Sequence, residues 1–161
     1  MVMFSEVVFV KVLFVCTGNV CRSAFAEKLA SQLKEEYGLE HFTFDSAGTG
    51  ALQNKGSDSL MLEVAKELGV DLSKHLGKQL KRELIQKYDL LLMMDRSHET
   101  FVKSFFSEFD EKCVLFSEYP KKSFFRAKDI PDPYRLSKKE YTKSLQKIES
   151  ILLKQLGFWK A

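Results

Sequence analysis

Short apolar runs of strand length alternate along this chain with segments in which apolar residues recur at helical spacing. The apolar runs cover residues 10–15, 41–47, 88–94 and 112–116, and the helical spacing covers residues 23–36, 60–69, 80–87, 97–109 and 137–156. Alternating strands and helices form parallel sheets, because each parallel connection needs a crossover that a helix can supply. The sequence therefore predicts an α/β fold: a single domain, with a four-stranded parallel sheet and helices on both faces.

The composition limits what such a domain can do. The chain has 161 residues, of which 45% are hydrophobic, enough for one compact domain with its own core. The formal net charge is only +3, so we expect no nucleic-acid partner. No apolar stretch reaches the roughly 18 residues of a membrane span, so we expect no membrane partner. Three cysteines are too few for a disulfide framework and favour a reducing, cytoplasmic location.

The first nine residues, MVMFSEVVF, are apolar but do not resemble a signal peptide. They lack a basic leading region and a small-residue cleavage site. We therefore expect an N-terminal extension of unknown role at residues 1–9 and the folded domain at residues 10–161.

The segment CTGNVCRS, residues 16–23, lies between the first predicted strand and the first predicted helix. Ligands of open α/β sheets bind beyond the carboxyl ends of the strands, where loop N–H groups and a helix N-terminus attract anions. Gly18 and Asn19 are best able to adopt left-handed backbone angles there, and Arg22 can grip two oxygens of a tetrahedral oxyanion. The residues predicted to bind the phosphate are Thr17, Gly18, Asn19, Val20, Cys21 and Ser23.

Cys16 opens this loop and is the candidate nucleophile. A cysteine among N–H groups, a helix terminus and an arginine is expected to be a thiolate near neutral pH. The Ser23 hydroxyl can donate a hydrogen bond to the sulfur, stabilising it as thiolate and as leaving group.

Other interpretations of the two loop cysteines are weaker. Zinc bound by Cys16 and Cys21 needs two more ligands, and only Cys113 and three scattered histidines remain. A structural disulfide in so short a loop contributes little, although a reversible Cys16–Cys21 disulfide is a plausible redox protection. Two ordinary buried cysteines are the remaining alternative.

A second signal lies in DIPDPYRL, residues 129–136. Transfer of a phosphoryl group to cysteine leaves an alkoxide or phenoxide that needs a proton, so a carboxylic acid must face the thiolate across the substrate. Asp132 is the candidate, because Pro131 and Pro133 restrict the backbone on both sides of it. Taken alone, the segment is more typical of a surface turn; together with the cysteine loop it indicates an active site.

These motifs resemble those of the low-molecular-weight protein tyrosine phosphatases. VLFVCTGNVCRSAFAE resembles the opening signature of that family, and DPY resembles its acid loop, with DSAGTGA, KHLGKQL and MMDRSH in the expected order between them. The resemblance implies that Cys16 is the nucleophile, that Arg22 clamps the phosphate, and that Asp132 acts first as acid and then as base.

The resemblance also assigns supporting roles. It implies that Asn19, Ser23, Ser46 and His75 brace the phosphate loop through hydrogen bonds and that Asp95 is a supporting carboxylate. It implies phosphotyrosine-containing proteins or small aryl phosphates as substrates, inhibition by phosphate-like oxyanions, and no metal or organic cofactor.

Departures from the family pattern bear on the substrate. An aromatic residue is common where Leu52 stands, which leaves Tyr134 as the aromatic wall of a tyrosine-sized slot. Protein arginine phosphatases resemble this chain but typically carry Thr at the position of Val20. Arsenate reductases of the same fold need further cysteines, and only Cys113 lies outside the loop. A binding module with an inactive cradle does not explain why Cys16, Arg22 and Asp132 occur together.

Overall fold

The computed structural model describes residues 8–120 and 128–160. The extension expected at residues 1–9 therefore lies mostly outside the described residues, and the boundary at residue 10 stays a prediction. Val8 and Phe9, the two residues of that segment that are described, are exposed.

Four parallel strands form one sheet, in the order β2-β1-β3-β4. The strands are β1 (Val10–Cys16), β2 (Phe42–Gly48), β3 (Leu90–Met93) and β4 (Cys113–Leu115). All four contain buried apolar side chains, and β1 is buried along most of its length because it lies in the interior of the sheet. The predicted fold class is confirmed.

In the part of the chain that the structure describes, five α-helices cover the two faces of this sheet. They are α1 (Arg22–Leu33), α2 (Ser59–Glu67), α3 (Arg82–Gln86), α4 (Arg96–Phe105) and α5 (Lys138–Lys160). Helices α1, α2 and α5 pack with Val12 and Phe14 on one face, and α3 and α4 pack with Leu13 and Val15 on the other. Alternate residues of β1 therefore supply two separate apolar clusters, as expected of a strand buried on both faces. No helix in the described part of the chain is long and apolar enough to cross a membrane.

The helix predicted over residues 97–109 is shorter in the structure. Helix α4 ends at Phe105, and a 3-10 turn follows over Ser107–Lys112. Phe106 leaves the helical conformation with φ −141° and ψ 48°. The break lets Phe106 and Phe109 pack against the same apolar cluster while Phe105 stays exposed, so tertiary packing overrides the local helical spacing.

The strand order places the loop after β1 at the point where the chain changes direction across the sheet. The chain passes from β1 to β2 on one side and then returns to β3 on the other. Cys16 ends β1, and Asp95 follows β3 two residues after its end. Loops from neighbouring parallel strands thus meet at one edge, where open α/β sheets bind their ligands.

Candidate active site

The loop between β1 and α1 turns on Asn19, whose φ is 57°. This left-handed conformation is one that asparagine adopts more readily than most residues. Gly18, which was expected to share it, does not have a positive φ. A Cβ on Gly18 would meet Leu52 at 3.7 Å, an ordinary contact, so the loop does not require a glycine there. The left-handed residue of the turn is Asn19.

The segment after β2 continues the sheet alongside this loop. The N–H groups of Thr49, Gly50 and Leu52 donate to the carbonyls of Cys16, Thr17 and Gly18 at 2.9, 3.0 and 3.0 Å. Turning these loop carbonyls towards the 49–52 segment leaves the loop N–H groups for another partner. The approach is close: a Cβ on Gly48 would lie 2.3 Å from the Thr17 carbonyl oxygen, so no larger residue fits there.

A chain of hydrogen bonds leads from Asn19 to the Cys16 sulfur. Asn19 Oδ1 accepts from the Lys78 N–H at 2.9 Å, which directs its Nδ2 towards Ser23 Oγ at 2.8 Å. Ser23 Oγ accepts there, and it lies 2.9 Å from Cys16 Sγ. The serine proton is therefore available to the sulfur, which is the arrangement that stabilises a thiolate.

Two more side chains hold the loop carbonyls. His75 Nε2 donates to the Asn19 carbonyl at 2.6 Å, and Ser57 Oγ donates to the Val20 carbonyl at 2.6 Å. A carbonyl only accepts, so His75 carries its proton on Nε2, and burial lowers its pKa below the ordinary value. Ser57 was not expected from the sequence.

Ser46 does not brace the loop as expected. Its side chain is fully buried inside β2, and its hydroxyl donates to Glu27 Oε1 of α1 at 3.1 Å. In the sheet Ser46 pairs with Phe14, and Phe14 lies two residues before the loop begins at Cys16. This register places the Ser46 side chain under α1 instead.

Arg22 is the first residue of α1 and is 1% exposed. Its Nη1 donates to Asp95 Oδ2 at 2.7 Å and to the Ile130 carbonyl at 2.8 Å. Among the described residues, the buried Nε of Arg22 has no hydrogen-bond partner. The guanidinium is thus fixed through one nitrogen, and its Nε–Nη2 edge matches the two-oxygen grip that a phosphoryl group accepts.

Asp95 caps α4 and supports Arg22 at the same time. Its carboxylate accepts from the Ser97 N–H at 2.9 Å and from Arg22. Burial opposes its ionisation, but the hydrogen bonds from Ser97 and Arg22 outweigh burial and hold the pKa of Asp95 below its usual range. A charged carboxylate therefore balances the buried guanidinium.

His98, which the sequence did not reveal as a site residue, is 1% exposed beneath this cap. Its Nε2 lies 3.0 Å from Thr17 Oγ1, and its Nδ1 accepts from the Asp95 N–H at 3.1 Å. Burial lowers the pKa of His98 to about 4, so the ring is neutral near pH 7. The start of α4, which contacts Arg22 through Asp95, thus also contacts Thr17, the residue after Cys16.

The loop with Asp132 docks onto the end of β3. The Ile130 N–H donates to the Met94 carbonyl at 2.9 Å, next to the Ile130 carbonyl that accepts from Arg22. Asp132 Oδ2 lies 3.5 Å from Arg22 Nη2, and Oδ1 accepts from the Tyr134 N–H at 3.1 Å. The two motifs recognised in the sequence, 116 residues apart from Cys16 to Asp132, therefore meet at Arg22.

One cavity of about 140 Å³ lies between these loops. It is lined by Cys16, Thr17, Gly18, Val20, Cys21, Arg22, Gly50, Leu52, Asp132 and Tyr134. Tyr134 and Leu52 supply the aromatic and aliphatic walls that the sequence indicated. Asn19 and Ser23 lie fully buried behind it. The cavity combines a thiol, a guanidinium and a carboxyl with an apolar entrance, which suits a phosphate ester of an apolar group.

Comparison with known families decides the class of protein. The family model for low molecular weight phosphotyrosine protein phosphatase matches residues 11–157. The chain belongs to this family. The resemblance drawn from the sequence is confirmed, and with it the enzyme class, a cysteine-dependent phosphatase.

Several relatives of this phosphatase cover most of its length. The low molecular weight protein-tyrosine-phosphatase Wzb of Escherichia coli K12 is 36% identical over 133 residues, 83% of this chain and 84% of the relative. The structure of Vibrio vulnificus Wzb in complex with benzylphosphonate has a TM-score of 0.80 and 34% identity, covering 92% of this chain and 97% of that one. YwlE arginine phosphatase with a phosphorylated active site serine has a TM-score of 0.84 and 31% identity, covering 92% and 94%.

The other two cysteines of this phosphatase differ from Cys16 in their surroundings. Burial, with the neighbouring Cys16 as the next cause, raises the pKa of Cys21, so Cys21 stays a neutral thiol. Cys113 packs against the cluster on the opposite face of the sheet, and burial raises its pKa to about 12. That placement argues against a relay from Cys16 to Cys113 of the kind an arsenate reductase needs. Reversible pairing of Cys16 with Cys21 stays a prediction.

The described residues include no group of three or more His, Cys, Asp or Glu that could hold a metal ion. All three cysteines are free thiols.

Proposed function

We propose that this phosphatase hydrolyses phosphotyrosine in proteins and small aryl phosphates, with Cys16 as nucleophile. The observation that carries the proposal is the cavity in which Cys16, Arg22 and Asp132 face one another beside Tyr134. The similar Wzb of Vibrio vulnificus forms a complex with benzylphosphonate, an aryl-methyl phosphonate, which supports an aromatic substrate for this phosphatase.

In the first step, the Cys16 thiolate attacks phosphorus and the bond to the tyrosine oxygen breaks. Asp132 gives its proton to the departing phenolate, so tyrosine leaves as a neutral phenol. Arg22 and the loop N–H groups bind the equatorial oxygens, where charge is concentrated in the transition state. The product is a cysteinyl phosphate and an Asp132 carboxylate.

In the second step, water attacks the cysteinyl phosphate. The Asp132 carboxylate takes a proton from that water, and the sulfur leaves as a thiolate. Ser23 stabilises the departing sulfur through the contact of 2.9 Å between Ser23 Oγ and Cys16 Sγ. Inorganic phosphate is released, and because it fits the same cradle we expect phosphate-like oxyanions to inhibit the enzyme.

The cytoplasm suits this chemistry, because a cysteine nucleophile must stay reduced to react.

Arginine phosphatase activity is the second candidate, favoured by the similarity to YwlE arginine phosphatase. Val20 opposes it, because this residue lines the cavity with an apolar side chain and offers no hydroxyl to a guanidinium. Phosphoarginine also differs chemically, since its scissile bond joins phosphorus to nitrogen.

A substrate panel separates these activities. The purified protein is assayed side by side on a phosphotyrosine peptide, a phosphoarginine peptide, para-nitrophenyl phosphate and arsenate with a thiol reductant. We expect the highest kcat/KM among the peptides on phosphotyrosine and no arsenate reduction. A higher kcat/KM on phosphoarginine would contradict the proposed substrate but not the cysteine mechanism.

A further inference from the structure

Two buried side chains of α5 hold the acid loop, one on each side of Asp132. Ser144 Oγ donates to the Pro131 carbonyl at 2.7 Å, and the Tyr141 hydroxyl oxygen accepts from the Arg135 N–H at 3.4 Å. Tyr141 is 1% exposed and Ser144 is 3% exposed. They are three residues apart and therefore share one face of the helix.

Tyr141 is itself fixed by helix α2. Its hydroxyl donates to Asp58 Oδ2 at 2.7 Å, while Asp58 Oδ1 caps α2 by accepting from the Met61 N–H at 2.8 Å. Because the single hydroxyl proton goes to Asp58, the oxygen lone pairs remain for the Arg135 N–H. Burial, followed by the contact with Asp58, raises the pKa of Tyr141, so the hydroxyl keeps its proton.

The residue before Asp58 holds the other catalytic loop. Ser57 Oγ donates to the Val20 carbonyl of the phosphate loop at 2.6 Å. The 57–58 segment thus contacts the phosphate loop directly and the acid loop through Tyr141. The carboxyl of Asp132 is 46% exposed, so its direction depends on how firmly its own loop is held.

We propose that Tyr141, anchored by Asp58 and assisted by Ser144, is a positioning residue for the general acid. The inference rests on the proposed function, in which Asp132 protonates the leaving group. Loss of the Tyr141 hydroxyl frees the loop at Arg135 while leaving Cys16 and Arg22 in place. Both proton transfers by Asp132 then slow, and kcat/KM reports the first of them, in which the leaving group takes the Asp132 proton.

Substrates with different leaving groups test this. Phenyl phosphate needs the proton, and para-nitrophenyl phosphate hardly needs it. We expect Tyr141→Phe to lower kcat/KM on phenyl phosphate by about three- to tenfold, the worth of one hydrogen bond, and on the nitrophenyl ester by less than about twofold. The matched control is Tyr88→Phe, which removes another buried hydroxyl that donates to a carboxylate, Asp45, at 2.8 Å. Its ratio of the two rates should equal that of the wild type.

The same change in an Asp132→Asn background shows whether Tyr141 acts through the acid. We expect Tyr141→Phe to add less than about twofold there, because residues that act through one group are not additive. Equal losses on the two substrates, or a full additional loss in the Asp132→Asn background, would overturn the proposal.

Ser144→Ala covers the case in which Tyr141→Phe does not fold. It removes the contact with Pro131 and should give the same selective loss of kcat/KM on phenyl phosphate. Equal losses on both substrates, relative to the wild type, would then overturn the inference. If Asp132→Asn is selective and Tyr141→Phe is not, only this inference fails. If Asp132→Asn itself slows both substrates equally, the acid assignment under the proposed function fails first.

Discussion

His98 Nε2 lies 3.0 Å from Thr17 Oγ1, so the residue after Cys16 is tied to the first turn of α4. The same turn holds Arg22 through Asp95 at 2.7 Å. Because His98 Nδ1 accepts from the Asp95 N–H, the ring proton must sit on Nε2 and point at Thr17. One helix start therefore holds two residues of the phosphate loop, and the hydrogen bond from the Asp95 N–H to Nδ1 requires a neutral His98.

This arrangement sets a pH dependence of stability. Burial lowers the pKa of His98 from 6.5 to about 4. Between pH 6.5 and pH 4 the unfolded chain therefore binds a proton at His98 that the folded chain does not bind. The contribution of neutral His98 to the free energy of unfolding is thus fully present above pH 6.5 and is lost as the pH falls towards 4. Over that window the loss is on the order of 3 kcal/mol.

We expect His98→Gln to remove this loss, so that the difference in unfolding free energy between wild type and variant shrinks as the pH falls from 6.5 to 4. Urea unfolding at several pH values measures it. Glu27 acts in the opposite sense, because burial and then Asp45 raise its pKa from 4.5 to about 7. Since Glu27 is unchanged in the variant, the difference cancels it; a difference independent of pH would show that His98 is not the titrating group.

Arg22→Lys should lose most activity although it keeps the positive charge. A lysine has one nitrogen, which cannot replace both the contacts with Asp95 and Ile130 and the two-oxygen grip on phosphate. We expect kcat/KM to fall by about a hundredfold or more. Arg82→Lys on α3 is the control, and near-wild-type activity of Arg22→Lys would refute the two-oxygen grip.

Asp132→Asn should lower kcat/KM for substrates with poor leaving groups by roughly a hundredfold or more. The amide occupies the same place but has no proton to give to the departing oxygen. The value of kcat/KM on phenyl phosphate and on para-nitrophenyl phosphate provides the comparison, because it reports the first step alone, and the nitrophenyl ester should be affected much less. Equal losses on both would indicate that Asp132 has a structural role.

Tyr134 and Leu52 should set the preference for aryl substrates. Tyr134→Ala removes the aromatic wall and should raise KM for phosphotyrosine several fold, whereas Leu52→Trp should lower it, each by about 1 kcal/mol or less. Neither change should alter the hydrolysis of a small alkyl phosphate. Unchanged phosphotyrosine kinetics in Tyr134→Ala would show that the ring does not contact the substrate.

The sequence revealed those features that local patterns specify. The alternation of strands and helices predicted the sheet, and the position of CTGNVCRS after β1 predicted where Cys16 would lie. The proximity of Asp132 to Arg22 was predicted because the two motifs were recognised together, since a sequence contains no distances.

The residues that were missed act through contacts between distant segments. Ser57, His98 and Tyr141 are ordinary residues in their local sequence, and each matters because of one hydrogen bond across the fold. Ser46 shows the converse, since its motif was recognised but its hydroxyl turns to Glu27. Side-chain partners of this kind depend on tertiary packing, which spacing along the chain does not encode.

Trapping the covalent intermediate tests the central claim, that Cys16 takes up the phosphoryl group. Wild-type protein is mixed with para-nitrophenyl phosphate, quenched within a turnover, digested and analysed by mass spectrometry, with Cys16→Ser in parallel. We expect a phosphorylated cysteine at position 16, unmodified Cys21 and Cys113, and no turnover by Cys16→Ser, which should stay folded and still bind phosphate. Turnover near the wild-type rate by Cys16→Ser, or a phosphoryl group on another residue, would contradict the mechanism.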